Sequence, residues 1–272
     1  MKDVSYIDRP NRPLHIYALL YLAFLYIPVL FLPIFSFNDS IFIAFPLTSF
    51  TTQWYVELVD NEPMLAALAN SLKVGGVTSV AATVLGVFGA KAVTRYRMPG
   101  KAPAVFVIML PLFIPGIILG VALLILLSRA GVPLSLYTIT LGHILISVPF
   151  AMATLMSRFE GFDKSMEEAA ADLGDNAWWT FWRVTFPMVF PGVLASLLLC
   201  FTISFDEFIM AFFLSGTEPT LPIFIYSQLR FPNKLPGVLA LGAIILVVSF
   251  LVVFFSQWLR RRGIDDTSRS GL

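Results

Sequence analysis

Two adjacent carboxylates have the clearest chemical potential in this sequence. Asp206 and Glu207 stand between Phe205 and Phe208, inside an apolar stretch from about Met188 to Leu214. A carboxylate placed among hydrocarbon is expensive, and one kept there generally faces a pathway or a partner. Two roles fit the pair. It attracts a cationic solute, with the neighbouring phenyl rings adding cation–π contacts, or it is simply hydrated, because it lies near the outer third of its stretch. Lys73 poses the same question on a smaller scale: it pairs with an acid, or it extends its ammonium to water along its own stem. Other reactive arrangements are excluded by composition. The sequence has no G-x-x-x-x-G-K-[ST] phosphate loop, so ATP has no ordinary cradle here. His15 and His143 are the two histidines and Cys200 the single cysteine, which rules out a His/Cys metal cluster and an intrachain disulfide. There is no Ser/His/Asp set and no basic nucleic-acid patch. The chain is expected to be non-catalytic and without a cofactor of its own, so that any energy from ATP enters through a partner.

A second segment, Arg158 to Pro187, is too polar to span a bilayer. Ser165 followed by Glu168 reads as a capping box opening a short helix, and Met166 to Leu173 are good helix formers. Gly174 then reads as a left-handed stop. Asp175 is placed to cap a second short helix bearing Trp178, Trp179 and Trp182, which Pro187 would end. An aromatic belt at the headgroup level accounts for the tryptophans.

The elements that hold these residues follow from composition. Of 272 residues, 58% are hydrophobic and 13% charged, about half the usual charged share of a soluble domain. Spans of about 20 apolar residues are the expected form. Six stretches qualify: about Ile16–Phe37, Met64–Val93, Ala104–Leu127, Leu136–Met156, Met188–Leu214 and Val238–Trp258. In lipid, backbone groups must be satisfied internally and these lengths exceed barrel strands, so all six are expected to be helices. Ala82, Gly86 and Ala90, and likewise Gly116 and Gly120, allow close helix approach. Pro28, Pro33, Pro111, Pro115 and Pro149 are expected to kink their rods. The kinks serve either packing or flexing. No internal repeat is evident.

Basic residues set an orientation. Lys2, Arg9, Arg12, Lys91, Arg95, Arg97, Lys101, Arg158, Lys164, Arg183, Arg260, Arg261, Arg262 and Arg269 fall on one side, and Arg129, Arg230 and Lys234 on the other. Positive charge accumulates on the cytoplasmic side, so both termini are expected there. The resulting division is a cytoplasmic segment 1–15, a transmembrane domain 16–259 and a cytoplasmic tail 260–272. The opening MKDVSYIDRPNRP lacks the basic start and cleavage site of a signal peptide, so the first stretch is expected to stay in the mature protein.

On this frame, Glu168-Ala169-Ala170, three residues, Gly174, nine residues and Val184-Thr185-Phe186-Pro187 resemble the EAA loop of ABC importer permeases, with Val184 and Phe186 in place of the usual Ile and Leu. Phe37-Asn38-Asp39, Asn70-Ser71-Leu72, Ser204 to Phe208 and Thr220-Leu221-Pro222 resemble the polyamine branch of that family. The resemblance implies a six-helix half of a translocation path for a small cationic solute, in the bacterial inner membrane. It implies a coupling helix formed by Glu167, Glu168, Ala169, Ala170, Gly174 and Pro187. Its partners would be two ATPase subunits that bind the ATP and Mg, a second, homologous permease chain, and a periplasmic or external solute-binding protein. A self-contained secondary transporter or channel is the alternative, in which the Glu168-to-Pro187 segment would be incidental.

Overall fold

The computed structural model describes residues 12–96 and 99–251. Among them the architecture is all-helical, and the one extended feature is an isolated bridge between Asn38 and Phe50. Five helices are long and apolar enough to cross a membrane: Arg12–Ser36, Glu62–Arg95, Leu136–Glu160, Ala177–Asp206 and Pro232–Leu251. A sixth crossing forms if the bent pair Lys101–Leu112 and Gly116–Arg129 counts as one. The tail beyond residue 251 and the segment before Arg12 lie outside the described residues, as does the end of the expected sixth stretch.

The chain forms two compact units. The first takes in the helix Arg12–Ser36 (α1), the short helix Gln53–Val59 (α2) and the span Pro232–Leu251. Between α1 and α2 the buried Asn38 organises the chain. Its Oδ1 accepts from the Thr48 amide and hydroxyl at 3.0 and 3.1 Å, and its backbone carbonyl accepts from Trp54 Nε1 at 2.9 Å.

The second unit, Glu62–Tyr226, holds the candidate sites. Its spine is three helices: α3 (Glu62–Arg95), α6 (Leu136–Glu160) and α9 (Phe186–Asp206). Their apolar contacts fix the directions. Val74 clusters with Ile139 near one end, and Ala90 with Leu155, Phe159 and Val189 near the other. Thus α3 and α6 run parallel and α9 antiparallel to both. The small residues act as expected: Ala82 and Ala90 are fully buried, and a Cβ added to Gly86 would meet Ala151 at 2.8 Å. Close approach of backbones stands in for the hydrophobic drive that lipid cannot supply.

The third expected span is not a kinked rod. Helix α4 (Lys101–Met109) passes through a tight turn at Leu110–Leu112 and restarts as α5 (Gly116–Arg129), the two parts meeting at 101°. Pro111 and Pro115 each lack a donor, and the residue before a proline is driven out of the helical region. Two such constraints four residues apart break the helix rather than bend it. Gly116 and Gly120 then serve a contact inside the unit. Their faces meet Ile209 and Phe213 of the short helix α10 (Ile209–Leu214).

Polar groups cross the spine where the sequence reads as apolar. Thr83 and Ser196 hydroxyls lie 3.1 Å apart, His143 Nδ1 lies 2.7 Å from Ser204 Oγ, and the Cys200 thiol reaches the Ser147 carbonyl at 3.7 Å. Ser71 Oγ accepts the Leu221 amide at 2.8 Å, and Asn70 Nδ2 donates to the Pro219 carbonyl at 3.1 Å. Bonds of this kind are worth about 0.6 kcal/mol each in a membrane bundle, so they specify register more than they add stability.

Candidate functional site

One region of interest is the polar segment after α6. Helix α7 (Ser165–Asp172) forms where Ser165 to Leu173 predicts it. Its start differs from the expected capping box. The Asp163 carboxylate accepts the Ser165 amide at 3.0 Å, and Ser165 itself is already helical. The Ser165 backbone and side-chain hydrogen bonds hold the Asp163 carboxyl below the usual carboxylate range. Glu168 is therefore no capping partner and points outward.

The far end of α7 matches the expectation. Gly174 has φ +93°. Its amide donates to Ala171 and the Asp175 amide to Ala170, at 2.9 and 3.0 Å, completing a Schellman stop in which only glycine is at ease. A Cβ at Gly174 would meet nothing within 4 Å, so the demand for glycine is conformational.

The next helix is capped by Asn176, not Asp175. Asn176 Oδ1 accepts from the Trp178 and Trp179 amides at 3.1 and 3.0 Å, while Asp175 pairs with Arg183 at 3.0 Å. Nor does Pro187 end a short helix. The helix α8 (Ala177–Thr180), the π-helical turn Phe181–Thr185 and α9 form one rod, Ala177–Asp206. Pro187 cannot donate one turn back and its ring crowds the carbonyl there. The wider π turn absorbs both faults.

Arg95, which in the sequence counts only as one of the charges that set orientation, ties this segment down. Arg95, last in α3, sets its guanidinium Nε 3.1 Å from Glu167 Oε2, in a charge contact rather than an aligned hydrogen bond. Arg95 also donates to the Phe162 carbonyl at 2.9 Å and lies over the Phe159 and Phe162 rings. The Thr185 hydroxyl donates to the other Glu167 oxygen at 2.6 Å. Glu167 thus clasps three elements: α3, α7 and the π turn leading into α9. Ala170 turns inward and is buried, whereas Ala169 is exposed. Outward stand Met166, Glu168, Ala169 and Leu173, the last 89% exposed.

The second region is at the opposite end of α9. The expected span to Leu214 is broken: α9 stops at Asp206, Glu207 is extended, and α10 starts at Ile209. The break separates the two acids. Glu207 Oε1 accepts the Ile209 and Met210 amides at 2.9 and 3.1 Å and so caps α10. Asp206 is exposed, with no hydrogen bond or ion pair among the described residues. The phenyl rings divide likewise. Phe205 stacks on Phe201 at 5.8 Å, whereas Phe208 joins Phe212 and Tyr226 at 5.4 and 4.9 Å. Lys73 is exposed and lines a cavity that Glu218 also lines, with no ion pair among the described residues.

A helical spine of this length and apolarity, with a clasped polar segment at one end and a carboxylate-bearing break at the other, marks a multi-pass membrane protein. Comparison with known proteins makes this specific. Residues 82–264 match the family described as "Binding-protein-dependent transport system inner membrane component". The chain is 35% identical over 260 residues, 94% of each chain, to the spermidine/putrescine transport system permease protein PotC of Shigella flexneri. It is 34% identical over 255 residues, 91% of this chain and 90% of the relative, to the putrescine transport system permease protein PotI of Escherichia coli (strain K12). Its fold matches a chain in the crystal structure of a bacterial ABC transporter involved in the import of the acidic polysaccharide alginate, at TM-score 0.71 and 17% identity, over 96% of this chain and 99% of that one. The chain belongs to the binding-protein-dependent inner-membrane component family. It is a non-catalytic permease subunit of an ABC importer, resident in the inner membrane.

Proposed function

We propose that this permease carries a small cationic solute of the polyamine class and takes its driving force from an ATPase docked on α7. Both termini then lie in the cytoplasm, in keeping with the basic residues collected at the Arg95, Lys101 and Lys164 end. Two ATPase subunits supply ATP and Mg, a second permease chain completes the path, and an external binding protein delivers the solute. The observation that carries this reading is the clasp at Glu167. A helix docked in a partner transmits motion only if it is fixed to the spans behind it. Here Glu167 fixes α7 to both α3 and the rod Ala177–Asp206, while Glu168, Ala169 and Leu173 stay free for a groove.

The solute class rests on Asp206 and on the two relatives named for spermidine and putrescine. Asp206 is the uncommitted acid of the pair, and an exposed carboxylate attracts an amine by opposite charge. Copurification tests the coupling half of this reading. The full chain should bring down its ATPase, and Glu168→Lys, which reverses a charge on the outward face of α7, should lower the recovered ATPase at equal permease levels. Equal recovery from wild type and variant would remove Glu168 from the interface.

A further inference from the structure

We propose that a phospholipid with a net negative headgroup binds where the end of α3 meets the start of the rod Ala177–Asp206. Two adjoining cavities meet there, of about 390 and 340 Å³, and they share Lys91, Tyr96 and Ala177. The first is walled by Phe88, Tyr96, Trp178 and Phe181, with Lys91 as its one charge. The second opens toward Lys164, at the start of α7. Phe88, Tyr96 and Trp178 are all more than half exposed among the described residues.

The chemistry of the two halves fits one amphiphile. Lys91 sits over the Phe181 ring, 4.5 Å from its centroid, and makes no ion pair among the described residues. Lys164 is likewise unpaired there and exposed. Of the acids lining the second cavity, Glu167 is ion-paired to Arg95 and also attracts Lys91 at longer range, Asp175 is paired to Arg183, and Glu168 is exposed. Two lysines are left to meet a phosphate, with rings beside them to receive the glycerol and the upper acyl chain. The depth agrees. Helix α3 has 34 residues and is about 50 Å long at about 1.5 Å per residue, well beyond a hydrocarbon core of about 30 Å. Lys91 lies one turn from its end, within reach of the headgroups on the orientation proposed above.

Such a lipid would join α3 to α7 through Lys91 and Lys164, beside the Arg95–Glu167 clasp. The choice of the inner leaflet rests on the orientation proposed above. Reporter fusions at Lys101 and Lys164 check that orientation separately from lipid binding.

The test uses the assembled transporter, purified from a membrane of phosphatidylethanolamine and phosphatidylglycerol, with extracted lipid counted per complex. Wild type should retain phosphatidylglycerol enriched over the bulk membrane. Lys91→Gln and Lys164→Gln should each lower that enrichment, and the double variant should lose it at least fivefold while still eluting with its ATPase. Lys91→Arg should keep it. Lys164→Gln lies at an exposed position and preserves the test if Lys91→Gln fails to assemble. Equal retention of the two lipids, or unchanged enrichment in the double variant, would overturn the proposal. So would displacement of the retained lipid by inorganic phosphate, which would mark a soluble-anion site.

Discussion

The two ends of α9 handle charge differently. At the α7 end the charges that join one element to another are committed, Arg95 to Glu167, Arg183 to Asp175 and Asp163 to the Ser165 amide, while Lys91, Lys164 and Glu168 stand outside these pairs. At the other end Glu207 is spent on the cap of α10, and the adjacent Asp206 is left free. Committed charges hold a shape, and a free one can meet a solute. Under the proposed function the first end transmits motion and the second meets the solute, and that division sets what substitutions at each should do.

The largest effect is expected at Gly174. Gly174→Asp forces an L-residue to φ +93°, a local cost of about 1–2 kcal/mol, and adds a carboxylate at the turn. That is too little to unfold the spans, so the protein should remain in the membrane while uptake is abolished. Uptake at the wild-type rate from an intact complex would show that this turn is not the transmission element.

The next effect is at the clasp. Arg95→Met leaves Glu167, whose side chain is 18% exposed, without its cation. Stranding a largely buried charge costs on the order of 1–3 kcal/mol. Binding-protein-stimulated ATP hydrolysis should fall while permease abundance holds. Glu167→Gln in the same background should then add little, since the two side chains act as one unit. Additive losses measured by ATPase assay would dissolve the clasp as a unit.

The smallest effect is at the acids. Asp206→Asn keeps the size and removes the charge. For an exposed carboxylate the loss should be about 1 kcal/mol, or roughly fivefold in uptake of a cationic solute per assembled complex. Glu207→Gln should barely change uptake, because the amide oxygen still accepts from Ile209 and Met210. Proteoliposome uptake with both single variants separates them. A larger loss for Glu207→Gln would reverse the assignment of the free and the committed acid.

Much of this was legible from spacing. The spans and α7 follow from apolar runs and local helix formers, and Gly174 from the need for a left-handed stop. What escaped the sequence was one-residue competition and tertiary pairing. Asp163 and Ser165 both cap well, as do Asp175 and Asn176, and the winner depends on where the chain arrives. Pro111 and Pro115 permit a kink or a break, and packing of Gly116 and Gly120 on α10 settles it. Pro187 looked like a terminator because a π turn leaves no mark in composition. Arg95 and Glu167 are far apart in sequence, so nothing local announced their contact, and the Ser, Thr and His groups inside the spans read singly as tolerated rather than paired.

The central claim is that α7 lies on the cytoplasmic side and is covered by an ATPase. Leu173, exposed at the tip of α7, tests it directly as L173C with the buried Cys200 replaced by Ser. A membrane-impermeant maleimide should label this site in inside-out vesicles, fail to label it in intact cells, and be excluded once the ATPase is assembled. Labelling in intact cells, or labelling that the ATPase leaves unchanged, would contradict the account.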